Sequence, residues 1–205
     1  MSLPASTIAQ AACLVLKTAN ANEKAAKSLA MADLWLQGHL SFEFDQTPPP
    51  RPARPEEPVL LDPGKMPRRR KAGNSQNRAA LMHAVAHIEL NAIDLAWDIV
   101  ARFGSEMPRD FTDDWVVVGQ DEARHFSMIN KRLEDYGITY GDLPAHDGLW
   151  QASEDTADKL LARLAIVPMV LEARGLDVTP AMIERFIKFG DQESADILKV
   201  IYKEE

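Results

Sequence analysis

The sequence predicts an all-α protein built around a four-helix bundle. Three observations carry that expectation: four long segments after Asn77 repeat apolar residues at helical spacing, no strand-like alternation of comparable length exists, and turn residues concentrate between those segments. The chain has 205 residues, 46% hydrophobic and 26% charged, which is ordinary globular usage and enough to bury one sizeable core. Its net charge of −8 repels polyanions, so general DNA binding is not expected. One cysteine, Cys13, rules out an internal disulfide framework, suits a reducing compartment and reads as a helix-packing residue. The start of the chain shows neither an export signal nor an apolar run long enough for a membrane span, so the protein is expected to be cytoplasmic.

Residues 1–40 read as an N-terminal helical segment. From Thr7 to Gly38 the chain is rich in Ala, Leu, Lys and Glu and contains no proline, which favours a helix or a helix pair. Residues 41–77 read as a linker. Eight of the thirteen prolines fall between Thr47 and Pro67, too many for any helix or strand interior, so the segment should be extended and draped over the body, outside the core. The run Arg68-Arg69-Arg70-Lys71 follows, and between Arg51 and Arg78 eight Lys/Arg face three acids. This island either neutralises the acidic body or binds a polyanion.

Residues 78–205 read as the bundle, with helices expected over Arg78–Phe103, Phe111–Tyr136, Ala152–Arg174 and Pro180–Glu205. The first connection holds Gly104, Pro108 and Asp110; the third holds Gly175, with Thr179-Pro180 as a cap and first-turn pair. Short connections make antiparallel neighbours. The middle connection, Gly137 to Gln151, reaches roughly 50 Å at ~3.3 Å per residue, more than the ~35 Å length of a helix of about 23 residues. It can therefore cross the whole bundle, which gives two antiparallel hairpins joined by a long crossover, the connectivity of a ferritin-like bundle.

At 100° per residue, Glu89 shares a face of the first bundle helix with Met82, Val85, Ala86, Ala92, Ile93, Ala96, Val100 and Phe103. On the second, Glu122 and His125 lie in one stripe with Trp115, Val118, Gly119, Phe126, Ile129, Leu133 and Tyr136. Glu172 shares its face with Leu161, Ala165, Pro168 and Met169, and Glu205 with Ile187, Leu198, Ile201 and Tyr202. Buried unpaired carboxylates cost several kcal/mol each, so four converging stripes demand neutralising cations or protons. Two iron or manganese ions would supply that charge, held by one Glu from each of two helices and Glu-x-x-His from each of the others. Residues three apart are neighbours on a helix face, so Glu122 and His125 can serve one metal, and mixed carboxylate and imidazole donors suit iron or manganese. The competing readings are local ion pairs on a surface helix for Glu122 to His125, a histidine or arginine partner for Glu89, a salt bridge to Arg174 for Glu172, and a solvated terminus for Glu205. His83, His87 and His146 read as core or loop-fixing residues. Pro168 would kink the third helix one turn before Glu172.

His87-Ile88-Glu89-Leu90, Asp121-Glu122-Ala123-Arg124-His125-Phe126, Tyr140-Gly141-Asp142-Leu143-Pro144-Ala145-His146 and Leu171-Glu172-Ala173-Arg174-Gly175-Leu176-Asp177 resemble family 455 of the domains of unknown function (DUF455), among the ferritin-like proteins. The resemblance implies a di-iron type of bundle and a distant relation to ferritin-like tRNA hydroxylases. It also implies Glu89, Glu122, His125, Glu172 and Glu205 as metal ligands. The histidine expected three residues after Glu205 is not in the chain, which suggests that the sequence is a cut from a longer protein or a naturally incomplete one.

The leading functional expectation is therefore a dinuclear iron or manganese protein that activates oxygen as a hydroxylase-type oxidoreductase, acting on a small molecule or a modified nucleotide. A metal-free helical scaffold or interaction protein is the second reading. The third is an RNA-modifying hydroxylase guided by the basic linker. The substrate and any homo-oligomer are left open.

Overall fold

The computed structural model describes residues 4–66, 73–166 and 173–205. Among these, eight α-helices and no strand are formed: α1 Ile8–Leu16, α2 Ala21–Leu36, α3 Ser75–Phe103, α4 Arg109–Asp135, α5 Gly148–Glu154, α6 Leu160–Ile166, α7 Ala173–Lys188 and α8 Gln192–Glu204. No helix among the described residues is long and apolar enough to cross a membrane. The chain divides into two compact units, one of residues 4–56 with 89–127 and the other of residues 57–88 with 128–205, so α3 and α4 each contribute to both.

In the first unit the N-terminal segment is a helix pair. Thr7 caps α1 by accepting the N–H of Gln10, and Asn20 caps α2 by accepting that of Glu23, so each start satisfies an otherwise orphaned donor. Between Thr18 and Ala21 the chain leaves helical structure, and α1 packs on α2. Cys13 is buried in this pair. Trp35, Trp97, Leu90, Ile93, Ile99 and Phe126 are among the side chains sealed in the core of the unit.

The proline-rich residues 41–56 carry no helix, in agreement with their composition, but they are stitched down by polar contacts. Ala53 N–H donates to Leu16 O at 2.7 Å, Lys24 Nζ donates to Ala53 O at 2.8 Å, and Arg102 donates to Pro49 O at 2.8 Å. Pro52 is buried, so the segment enters the interior at one residue despite the expectation that it stays outside.

Every residue of α3 from Glu89 to Val100 is buried, so this stretch is a central helix and not one with a single apolar stripe. Three of its polar residues, Asn91, Asp94 and Asp98, are matched individually. Asp94 faces Lys24 at 2.5 Å and Arg54 at 3.1 Å, Asn91 accepts from Arg54 at 2.7 Å, and Asp98 pairs with Arg102 at 2.7 Å.

In the second unit the loop that begins at Gly137 is fastened to α3. Gly141 N–H donates to His83 Nε2 at 3.0 Å, and His87 contacts Tyr140 Oη at 2.8 Å through Nδ1 and His146 O at 3.0 Å through Nε2. Tyr140 stacks on both rings. His146 lies on this loop as expected, whereas His83 and His87, read from sequence as core residues pairing with acids such as Asp94 or with backbone, anchor the loop through Gly141 N–H, Tyr140 and His146 O. Gly141 has φ +115, and a Cβ there would meet Glu57 Cβ at 3.3 Å, so the position requires glycine on two counts.

The C-terminal third departs from the expected helix limits. The third expected helix is broken into α5 and α6 by residues 155–159, where the buried Arg163 donates to Thr156 Oγ1 and Ser153 O. The supposed connection at Gly175 and Thr179-Pro180 lies inside α7, and the real turn is Phe189-Gly190-Asp191. Gly190 takes φ +73, Asp191 N–H returns to Phe186 O, and Asp191 caps α8 by accepting the N–H of Ser194. Helix α7 packs on α8 across that turn. Ile187 consequently belongs to a different helix from Glu205, and their common stripe does not exist.

Candidate metal centre

Glu89 sits on α3, and Glu122 and His125 sit one turn apart on α4; all three are buried, at 3%, 7% and 1% exposure. The chain places them by helical phase. Ala92, Ile93 and Ala96 flank Glu89 on its face, and Phe126 and Ile129 flank the α4 pair, so burying the apolar residues takes the acids along. The loop Gly104–Pro108 returns α4 against α3, and the approach of the two helices is close at Gly119 and Trp97.

His125 Nδ1 lies 3.5 Å from Glu89 Oε2 and 3.6 Å from Glu122 Oε2. One ligand atom from each of the three residues falls within 4.8 Å of the others. Among the described residues, no hydrogen bond reaches Oε2 of either glutamate, and no Lys or Arg pairs with them. This contrasts with Asp94 and Asp98 on the same helix, each of which holds a cation. Burial pushes the Glu122 carboxyl well above the usual range, the charge of Glu89 pushes it further, and His125 opposes both.

Two orphaned carboxylate oxygens and an imidazole nitrogen in a water-poor interior fit a divalent cation. Metal bonds of ~2.0–2.2 Å to oxygen and nitrogen set neighbouring donors roughly 3–4 Å apart, which matches the spacing present. The residues suit a hard or borderline ion, and no thiolate is among them.

Of the residues assigned from sequence, Glu89, Glu122 and His125 belong to the first unit and come together there. Glu172, Pro168 and the basic run Arg68–Lys71 lie outside the described residues. Glu205 ends α8 in the second unit, exposed, with its N–H on Ile201 O; Leu198 and Ile201 of its stripe are buried, whereas Tyr202 is exposed. Sequence reasoning missed the buried charge of Lys24. Its signal was present in the small residues Ala21, Ala25 and Ser28 that surround it at helical spacing.

The family model described as "Protein of unknown function (DUF455)" matches residues 17–205. An uncharacterized protein of Haemophilus influenzae is 38% identical over 201 residues, covering 93% of this chain and 69% of its own length. No solved structure matches.

Proposed function

The chain belongs to the DUF455 family, and on that footing we propose that it is a ferritin-like metalloprotein in which Glu89, Glu122 and His125 hold iron or manganese. The observation that carries this reading is the pair of buried glutamate oxygens that meet no hydrogen-bond donor while sharing His125. A bound divalent ion would supply the positive charge that two buried carboxylates need, and in its reduced form would supply electrons for oxygen activation in hydroxylase-type chemistry.

The protein's own part is to bind and to exclude water. Glu89 and Glu122 bring negative charge from two facing helices, and His125 contributes a neutral nitrogen fixed in position by the i,i+3 geometry of α4. Surrounding Leu90, Ile93, Ala123 and Phe126 are fully or nearly fully buried, so water competes poorly for the ion. The sequence reading adds Glu172 and Glu205 as further carboxylate ligands, a second ion, a cytoplasmic location and an unassigned small-molecule or modified-nucleotide substrate.

Anaerobic titration of the metal-free protein with Fe(II) tests the proposal, with elemental analysis of protein purified without chelator as its companion. Saturable uptake in wild type that disappears in Glu89→Ala and Glu122→Ala is the expected result. Absence of saturable uptake in wild type overturns it and leaves a helical scaffold.

A further inference from the structure

We propose that Gly119 is the spacer that sets the separation of Glu89 from Glu122 and His125, with Trp97 as the surface it rests against and Ser28 as its clamp. This rests on the metal-binding reading above and concerns how the site is held to its dimensions.

A Cβ at position 119 would lie 2.9 Å from Trp97 Nε1, 3.3 Å from Cδ1 and 3.4 Å from Cε2. Trp97 is 0% exposed and cannot swing its indole into solvent to make room. Gly119 stands in the middle of α4 with no positive φ, so its backbone demands nothing that alanine lacks. A glycine inside a helix is a poor choice for propensity, and space is the reason left for it.

Two hydrogen bonds tie the contact. Trp97 Nε1–H donates to Ser28 Oγ at 2.7 Å, and Ser28 Oγ–H donates to Gly119 O at 2.6 Å. The link runs from α3 through α2 to α4, and all three members are buried. The carbonyl it grips opens the helical turn that contains Glu122. Along the antiparallel pair, Trp97 lies about 12 Å from Glu89 at ~1.5 Å per residue, and Gly119 one turn from Glu122, so the contact bears on the gap at the site.

The magnitudes decide the matter. Relieving a 2.9 Å contact to ordinary van der Waals distance opens the helices by about 0.5 Å, while metal–ligand distances tolerate about 0.2 Å. Close-packed interiors transmit such a displacement and do not absorb it.

The test compares the 205-residue protein with Gly119→Ala, Gly119→Ala/Trp97→Ala and Ser28→Ala. Fe(II) affinity is read by anaerobic calorimetry and stability by melting of the metal-free proteins. Gly119→Ala should lose about ten-fold or more in affinity, the scale of changes behind a ligand shell, with little change in melting because helix propensity offsets crowding. The double variant, which removes the indole atoms that the added methyl would meet, should recover affinity, a rescue that a merely structural role would not produce. Wild-type affinity in Gly119→Ala overturns the spacer role while leaving the metal site standing. No uptake by wild type overturns both. Should Gly119→Ala not fold, Ser28→Ala releases the clamp without adding an atom; weakened affinity supports the inference, and unchanged affinity overturns it.

Discussion

Lys24 of α2 and Asp94 of α3 meet at 2.5 Å with neither side chain exposed to water. Burial pulls the lysine's proton affinity below its usual value, the aspartate offsets only part of this, and Arg54 adds to the lowering. Arg54 and the carbonyl of Ala53 complete the cluster from the proline-rich segment.

Breaking that cluster on one side should be costly. Lys24→Ala strands most of the Asp94 charge and is expected to lower stability by about 3 kcal/mol, measured by urea unfolding. Lys24→Met with Asp94→Leu should recover most of the loss, since a buried ion pair is readily replaced by packed apolar groups. A double variant as unstable as the single one would show that the cluster does more than neutralise itself.

Glu122 gives a pH dependence of definite sign. Its folded value is raised by burial and by Glu89, so the metal-free folded state retains a proton that the unfolded chain has released. The stability that Glu122 contributes to the metal-free protein should therefore be fully present below about pH 4.3, the unfolded carboxyl value, and be lost as pH rises through the folded value. Glu122→Gln should flatten that decline. Metal uptake should show the opposite trend and strengthen with pH, because bound metal displaces the proton. Melting curves between pH 4.5 and 8, with and without Mn(II), read both.

Asp191 gives the reverse sign. Burial raises its carboxyl, but hydrogen bonds from Tyr136, Ser194 and Arg132 outweigh this and hold it below the usual range. The stability it contributes is present above about pH 3.9 and is lost as pH falls through the lower folded value. Asp191→Asn should cost about 1–3 kcal/mol at pH 7. It should also blunt the acid limb of unfolding followed by circular dichroism; an unchanged acid limb would remove Asp191 from the account.

Gly141→Ala tests the loop after α4. With φ +115 and Glu57 against its face, the position should lose about 1–3 kcal/mol on gaining a Cβ. Hydrogen exchange should report this as faster opening of residues 139–146, and unaltered exchange would mean that the loop is held elsewhere.

The first two bundle helices were legible to within a few residues, because unbroken apolar periodicity is bounded by Gly104 and Pro108 on one side and Gly137 on the other. The same periodicity placed Glu89, Glu122 and His125 on facing surfaces. The C-terminal hairpin was misread because Gly175 and Pro180 look like a stop and a start. In fact α7 runs through both, and Leu176, whose carbonyl Pro180 cannot serve, lies on an exposed turn where water can take the bond. The signal for the true turn was Gly190 followed by Asp191, a left-handed glycine and a capping acid. The anchoring of the loop after α4 on His83 and His87 rests on contacts more than fifty residues apart, which no local pattern records.

The carbonyl of Ala53 and the guanidinium of Arg54 give the proline-rich segment an unexpected authority. The interior of the first unit stays electrically incomplete until that stretch arrives. A protease nick at residues 49–54 would thus loosen the helices it lies upon, and the segment serves as a keystone and not a tether.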